Sequence, residues 1–177
     1  MEEITEAMFK AMEFEARYFE DMTLQQWKES VLKTLYDWGN VSPVTIENVK
    51  FYALEAEEDS PVTGQYDPEA KTISLRDRCD GVVLLHEMIH HYEHSLRRLN
   101  PALCELLTVQ LWDKLKERIG DLEERALRFL EIVEHNGLEA SGGEHGLLFL
   151  LKSYDLDIRL GLPLGTVMGY GHAEEYN

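Results

Sequence analysis

Apolar residues recur at helical spacing along most of this chain, and the pattern tightens to β-like runs only between residues 44 and 75. Residues 2–20 are Glu-rich, with Ile4, Met8, Met12, Phe14, Ala16 and Phe19 interleaved. This predicts an amphipathic helix or an ordered arm over residues 1–22. Thr23, with Gln26 three residues on, makes a capping box for a second helix. Trp27, Val31, Leu32, Leu35 and Trp38 are its apolar face, read as core rather than as a ligand box, and Gly39-Asn40 ends it. Val44-Thr45-Ile46 and the run from Val49 to Leu54 are rich in strand formers. Thr63-Gly64-Gln65-Tyr66 leads into the turn signal Asp67-Pro68-Glu69, and Thr72-Ile73-Ser74-Leu75 returns as a strand. The expected sheet is small and antiparallel.

Helices follow. Asp80 is placed to cap one that runs to about Leu99. Asn100-Pro101 starts the next, which carries Leu103, Leu106, Leu107, Leu111 and Leu115 and ends near Gly120. Asp121 caps a third, closed by Asn136-Gly137. After a Gly/Ser loop at residues 139–143, a short helix begins at Glu144-His145-Gly146, and residues 155–177 read as a loop-like tail. No repeat or low-complexity tract interrupts the pattern. The predicted class is α+β, mostly helical, with a small antiparallel sheet ahead of the central helix, in one domain spanning residues 1–177.

Composition narrows the possible partners. The 34 acidic against 17 basic residues give a formal net charge of −17. Such a surface repels nucleic-acid phosphates and anionic lipid heads, so neither direct nucleic-acid binding nor membrane association is expected. The acidity serves solubility first, although the same field attracts cations. Cys79 and Cys104 have no C-x-x-C spacing, which argues against a cysteine zinc site and against a disulfide scaffold. Met1-Glu2-Glu3-Ile4-Thr5-Glu6 lacks the basic-then-apolar pattern of a signal peptide. No uninterrupted apolar run approaches the ~20 residues of a membrane span. The expected setting is the cytoplasm.

The chemistry concentrates in Val82-Val83-Leu84-Leu85-His86-Glu87-Met88-Ile89-His90-His91-Tyr92. Within it, His86-Glu87-x-x-His90 has the H-E-x-x-H spacing of zinc metallopeptidases. Residues four apart share a helix face, roughly 6 Å along the axis, so two imidazoles can reach one ion. Glu87 points to the side of that pair, where it could act as general base towards water. The string can arise by chance on a surface helix, but a surface helix would not be so apolar just before it. A core helix would rarely hold two His and a Glu without a use for them.

A catalytic zinc takes three protein ligands and keeps one open position. His94 is two turns from His86, about 12 Å along the axis, and His91 points about 100° away from His90, so neither completes the pair. A metzincin would have Gly at position 93 and His at position 96; here Glu93 and Leu96 stand there, which excludes that class. Two candidates remain: Glu105 on the next helix and His145 beside the glycine loop. For the oxyanion, a further donor would come from Tyr154, Arg159, Tyr170 or His172, all downstream.

Leu84-Leu85-His86-Glu87-Met88-Ile89-His90-His91-Tyr92, together with His145-Gly146-Leu147-Leu148-Phe149, resembles the SprT-like/Spartan-type metallopeptidases. In that family a downstream His-Gly-x-x-Phe supplies the third ligand. Gly64-Gln65-Tyr66 through Thr72-Ile73-Ser74-Leu75 is similar to the hairpin that precedes its motif. The resemblance covers about residues 23–160. It implies a zincin-like fold, one Zn2+ on His86, His90 and His145, Glu87 as general base, and a protein or peptide substrate. One departure is the long connection between the motifs, residues 91–144, where the family has a short one. Residues 100–136 therefore read as an inserted helical hairpin, and Glu105 stays an alternative third ligand. The basic DNA-binding extensions of Spartan members are missing, so cleavage of DNA-bound proteins is not implied. The rival expectation is a metal-stabilised binding or regulatory protein on the same fold that cleaves nothing.

Overall fold

The computed structural model describes residues 49–54, 62–76, 81–99, 101–135 and 145–169. The helices expected before residue 44, the strand Val44-Thr45-Ile46, the caps Asp80 and Asn100, and the closing Asn136-Gly137 lie outside these residues. The chain divides into two compact units, residues 1–99 and 100–177.

In the first unit, strands β1 (Lys50–Ala53), β2 (Gly64–Asp67) and β3 (Thr72–Leu75) precede helix α1 (Gly81–Leu99). The strand order is β1-β3-β2. A tight hairpin joins β2 to β3. Asp67 Oδ1 accepts the N–H groups of Glu69 and Ala70, each at 2.9 Å, and Lys71 takes the left-handed conformation at φ 53°. The antiparallel register places Gly64 opposite Leu75 and Tyr66 opposite Ile73. β1, however, pairs with β3 in parallel, so the sheet is mixed and not antiparallel as expected. The reason is topological. β1 and β2 run in opposite directions but stand two strand spacings apart, about 9.5 Å, and β3 fills the gap between them. Ile73 and Leu75, on one face of this central strand, are buried.

Helix α1 buries Val83, Leu84, Leu85, Met88, Ile89, Tyr92 and Leu96. It also buries His86, Glu87, His91 and Glu93. Burial pushes the Glu93 carboxyl up, and Arg97, one turn on with a 2.5 Å contact, pulls it partly back.

The second unit holds α2 (Pro101–Lys116), α3 (Leu122–His135), α4 (Leu147–Leu160) and α5 (Thr166–Gly169). Both helices expected within residues 100–136 are present, and α2 lies chiefly against α4. Over residues 155–169 the tail is not loop-like as expected: α4 continues to Leu160, and α5 follows; residues 170–177 lie outside the described residues. Lys152, Ser153, Asp155 and Asp157 break the apolar pattern there, yet all four are buried. Lys114 Nζ lies 2.6 Å from Asp155 Oδ1, and Arg159 Nε 3.0 Å from its Oδ2. Ser153 Oγ donates to the Phe149 carbonyl at 2.8 Å. Burial pulls the Lys152 amine down to about 7. Gly161, at φ 69°, ends α4 in the left-handed cap that glycine adopts without strain. Among the described residues no helix is long and apolar enough to cross a membrane.

Asp157 ties the end of α4 to α5. Its carboxylate accepts the N–H of Gly165 at 2.8 Å and of Val167 at 3.0 Å. Burial nevertheless raises this carboxyl to about 6, against the opposing pull of those backbone donors. The folded chain therefore holds a proton that the unfolded chain has already released. The stability this contributes is complete below about pH 4 and lost as pH rises through about 6. Asp157→Asn is expected to flatten that segment of the pH–stability curve in urea unfolding. It is also expected to destabilise at all pH by about 1–3 kcal/mol, because the amide nitrogen cannot accept from the second backbone N–H.

Candidate metal centre

The H-E-x-x-H turn lies in the middle of α1, with apolar residues on both sides of it. One turn apart, His86 and His90 bring their Nε2 atoms to 3.2 Å, with the rings edge to face at 4.9 Å between centroids. Two nitrogens bound tetrahedrally to one ion at about 2.0–2.1 Å stand roughly 3.3 Å apart. The pair is therefore already spaced for a shared ion. His86 is buried and His90 half-buried. Glu87, between them in sequence, is only 3% exposed, which sets its carboxylate in a largely dry setting beside His86.

His145 precedes α4. Gly146 is the N-cap, buried and extended at φ −105° and ψ −178°. The imidazole stands edge to face on Phe149, with centroids 4.6 Å apart and planes at 89°. This gives His-Gly-x-x-Phe a physical meaning: the glycine turns the chain into the helix, and the phenyl ring one turn on fixes the imidazole. Ring nitrogens of His86, His90 and His145 all lie within 4.8 Å of one another, a group able to hold a metal ion. Three imidazoles suit zinc, and also iron, cobalt or other divalent transition metals. Glu105 is exposed on α2 and is not part of this group.

The remaining histidines of α1 have other settings. His91 is buried with Nδ1 3.2 Å from Tyr66 Oη, as its expected orientation away from His90 requires. Burial, aided by neighbouring Asp67, pushes the Tyr66 phenol up to about 12, so it stays neutral around pH 7. His94 also stands edge to face with Tyr66, at 6.1 Å between ring centroids. Burial, with Arg98 and Lys71 nearby, lowers its pKa. Of the suggested oxyanion donors, Tyr154 is buried and bonded to Arg125, and Arg159 serves Asp155. Tyr170 and His172 lie outside the described residues. Sequence reasoning passed over Gly64 and Tyr66. Their signal was the two-residue strand period, which puts both on the face of β2 that meets α1.

No family model matches this chain, and neither a curated protein nor a solved structure matches it.

The group predicts a metal stoichiometry. Elemental analysis should find about one divalent transition ion per chain, and His145→Ala should retain less than about a tenth of it, as loss of one ligand in three implies. Glu105→Ala should retain it all. A metal-replete His145→Ala protein would reverse the assignment.

Proposed function

We propose that this chain is a zinc-dependent peptidase of the SprT-like kind, with a zincin-like fold and a cytoplasmic setting. The observation that carries this reading is the three-histidine group with a buried glutamate directly beside it. The likeness of both short motifs to that family supports it, as does a mostly helical chain with a small sheet ahead of the motif helix. His86, His90 and His145 would hold a divalent ion, which would supply a Lewis acid for a carbonyl oxygen and would lower the pKa of water towards 7.

The chain's own groups supply the rest. Glu87 accepts a proton from water at a carboxylate oxygen and returns it to the leaving nitrogen, so one residue serves as base and then acid. Its dry setting strengthens each charge interaction it makes. Strand β2, paired on one side with β3, is an edge of the sheet among the described residues and borders α1. An extended peptide adding to that edge would be drawn along the motif helix. A protein or peptide substrate fits this arrangement, and the net charge of −17 opposes nucleic acid.

Glu87→Gln tests the mechanism, because it preserves shape and removes the base. Hydrolysis of unfolded casein should fall by about 10²–10⁴-fold, the usual contribution of a positioned base, while bound metal stays at the parental level. Equal activity in Glu87→Gln would sink the mechanism. A metal-replete parent that cleaves neither casein nor a broad peptide library would favour the non-cleaving, metal-stabilised binding protein.

A further inference from the structure

We infer that Gly64 is a positioning residue for Glu87, lying against its carboxylate because it has no side chain. A Cβ at position 64 would stand 2.6 Å from Val83 Cγ1, 2.9 Å from Glu87 Oε1 and 3.0 Å from Glu87 Cγ. Carbon contacts are ordinarily ~3.5–4.0 Å, so a methyl group here forces something to move. The requirement is for space alone, since Gly64 does not take a positive φ.

Three features decide what would move. Val83 is β-branched within a helix, where essentially one rotamer is open to it. Gly64 sits opposite buried Leu75 in the β2–β3 ladder, so the strand cannot retreat without disturbing the sheet. Two residues on, Tyr66 Oη meets His91 Nδ1 at 3.2 Å and pins the same face of β2 to α1 on the far side of the H-E-x-x-H turn. The Glu87 side chain is left as the part that gives way. β2 is thus a wall against which the carboxylate rests, and any side chain at position 64 displaces it. Gly64's part in catalysis rests on the peptidase reading; its contact with Glu87 does not.

A double-mutant cycle separates the two. Gly64→Ala is made in the parent and in Glu87→Ala, and urea unfolding is measured on the metal-loaded proteins. The alanine should lower the folding constant about tenfold more when Glu87 is present, the coupling expected of side chains in contact. If Gly64→Ala does not fold, the same cycle on a Val83→Ala background removes the closest clash and reads the same coupling. An equal cost with and without Glu87 overturns the inference. On casein, Gly64→Ala should keep its metal and its KM within about threefold, while kcat falls on the order of 100-fold, as a displacement of about 1 Å can cause. An unchanged kcat overturns the positioning role. A parent that cleaves nothing sinks the peptidase reading and Gly64's catalytic role with it, while the measured coupling still decides the contact.

Discussion

Helix α1 must keep four polar side chains out of water while it packs as an apolar helix. His86, Glu87, His91 and Glu93 are all buried beside Leu84, Leu85, Met88 and Ile89. A buried polar group without a partner costs about 1–3 kcal/mol, so four unmatched ones would consume much of a domain's stability. Three of them meet a local partner: His86 meets His90, His91 Nδ1 meets the Tyr66 hydroxyl, and Glu93 meets Arg97. The Glu87 carboxylate packs against Gly64. The hairpin β2–β3 therefore does more than cover an apolar face: through residues 64 and 66 it fits the polar stripe of the helix.

The second unit solves the same problem on α4. Lys152, Asp155 and Asp157 are buried on a helix that also carries Phe149, Leu150 and Leu151. Asp155 gathers Lys114 and Arg159, and Asp157 binds the backbone that begins α5. That rigid helix presents His145 just ahead of its first turn, with Phe149 behind the imidazole. A ligand placed by a helix start and an aromatic ring is held more tightly than one on a free loop, which is what metal coordination demands.

The sequence made some of this legible and hid the rest for physical reasons. The motif helix was readable because its apolar flanks and four-residue histidine spacing agree, and α2 and α3 because apolar positions recur around Asn100-Pro101 and Asp121. His145 was readable only through its likeness to a motif; spacing alone left Glu105 beside it. The parallel pairing of β1 was not readable, because residues 50–53 look the same whichever neighbour they take. The length of α4 was hidden because its buried charges are satisfied by partners distant in sequence, such as Lys114, and a local pattern cannot register them. Gly64 was legible only as part of the hairpin ahead of the motif helix, and its contact with Glu87 appears only in the folded chain.

In the proposed reading, the imidazoles of His86, His90 and His145, which stand close enough to hold a metal ion, bind one divalent ion and leave a position open. X-ray absorption at the metal edge of the purified protein tests this directly. The expected spectrum has a first shell of about four nitrogen or oxygen scatterers at roughly 2.0–2.1 Å, with the multiple-scattering pattern of three imidazoles and no sulfur. A sulfur shell near about 2.3 Å, or a site with only two imidazoles, would contradict it.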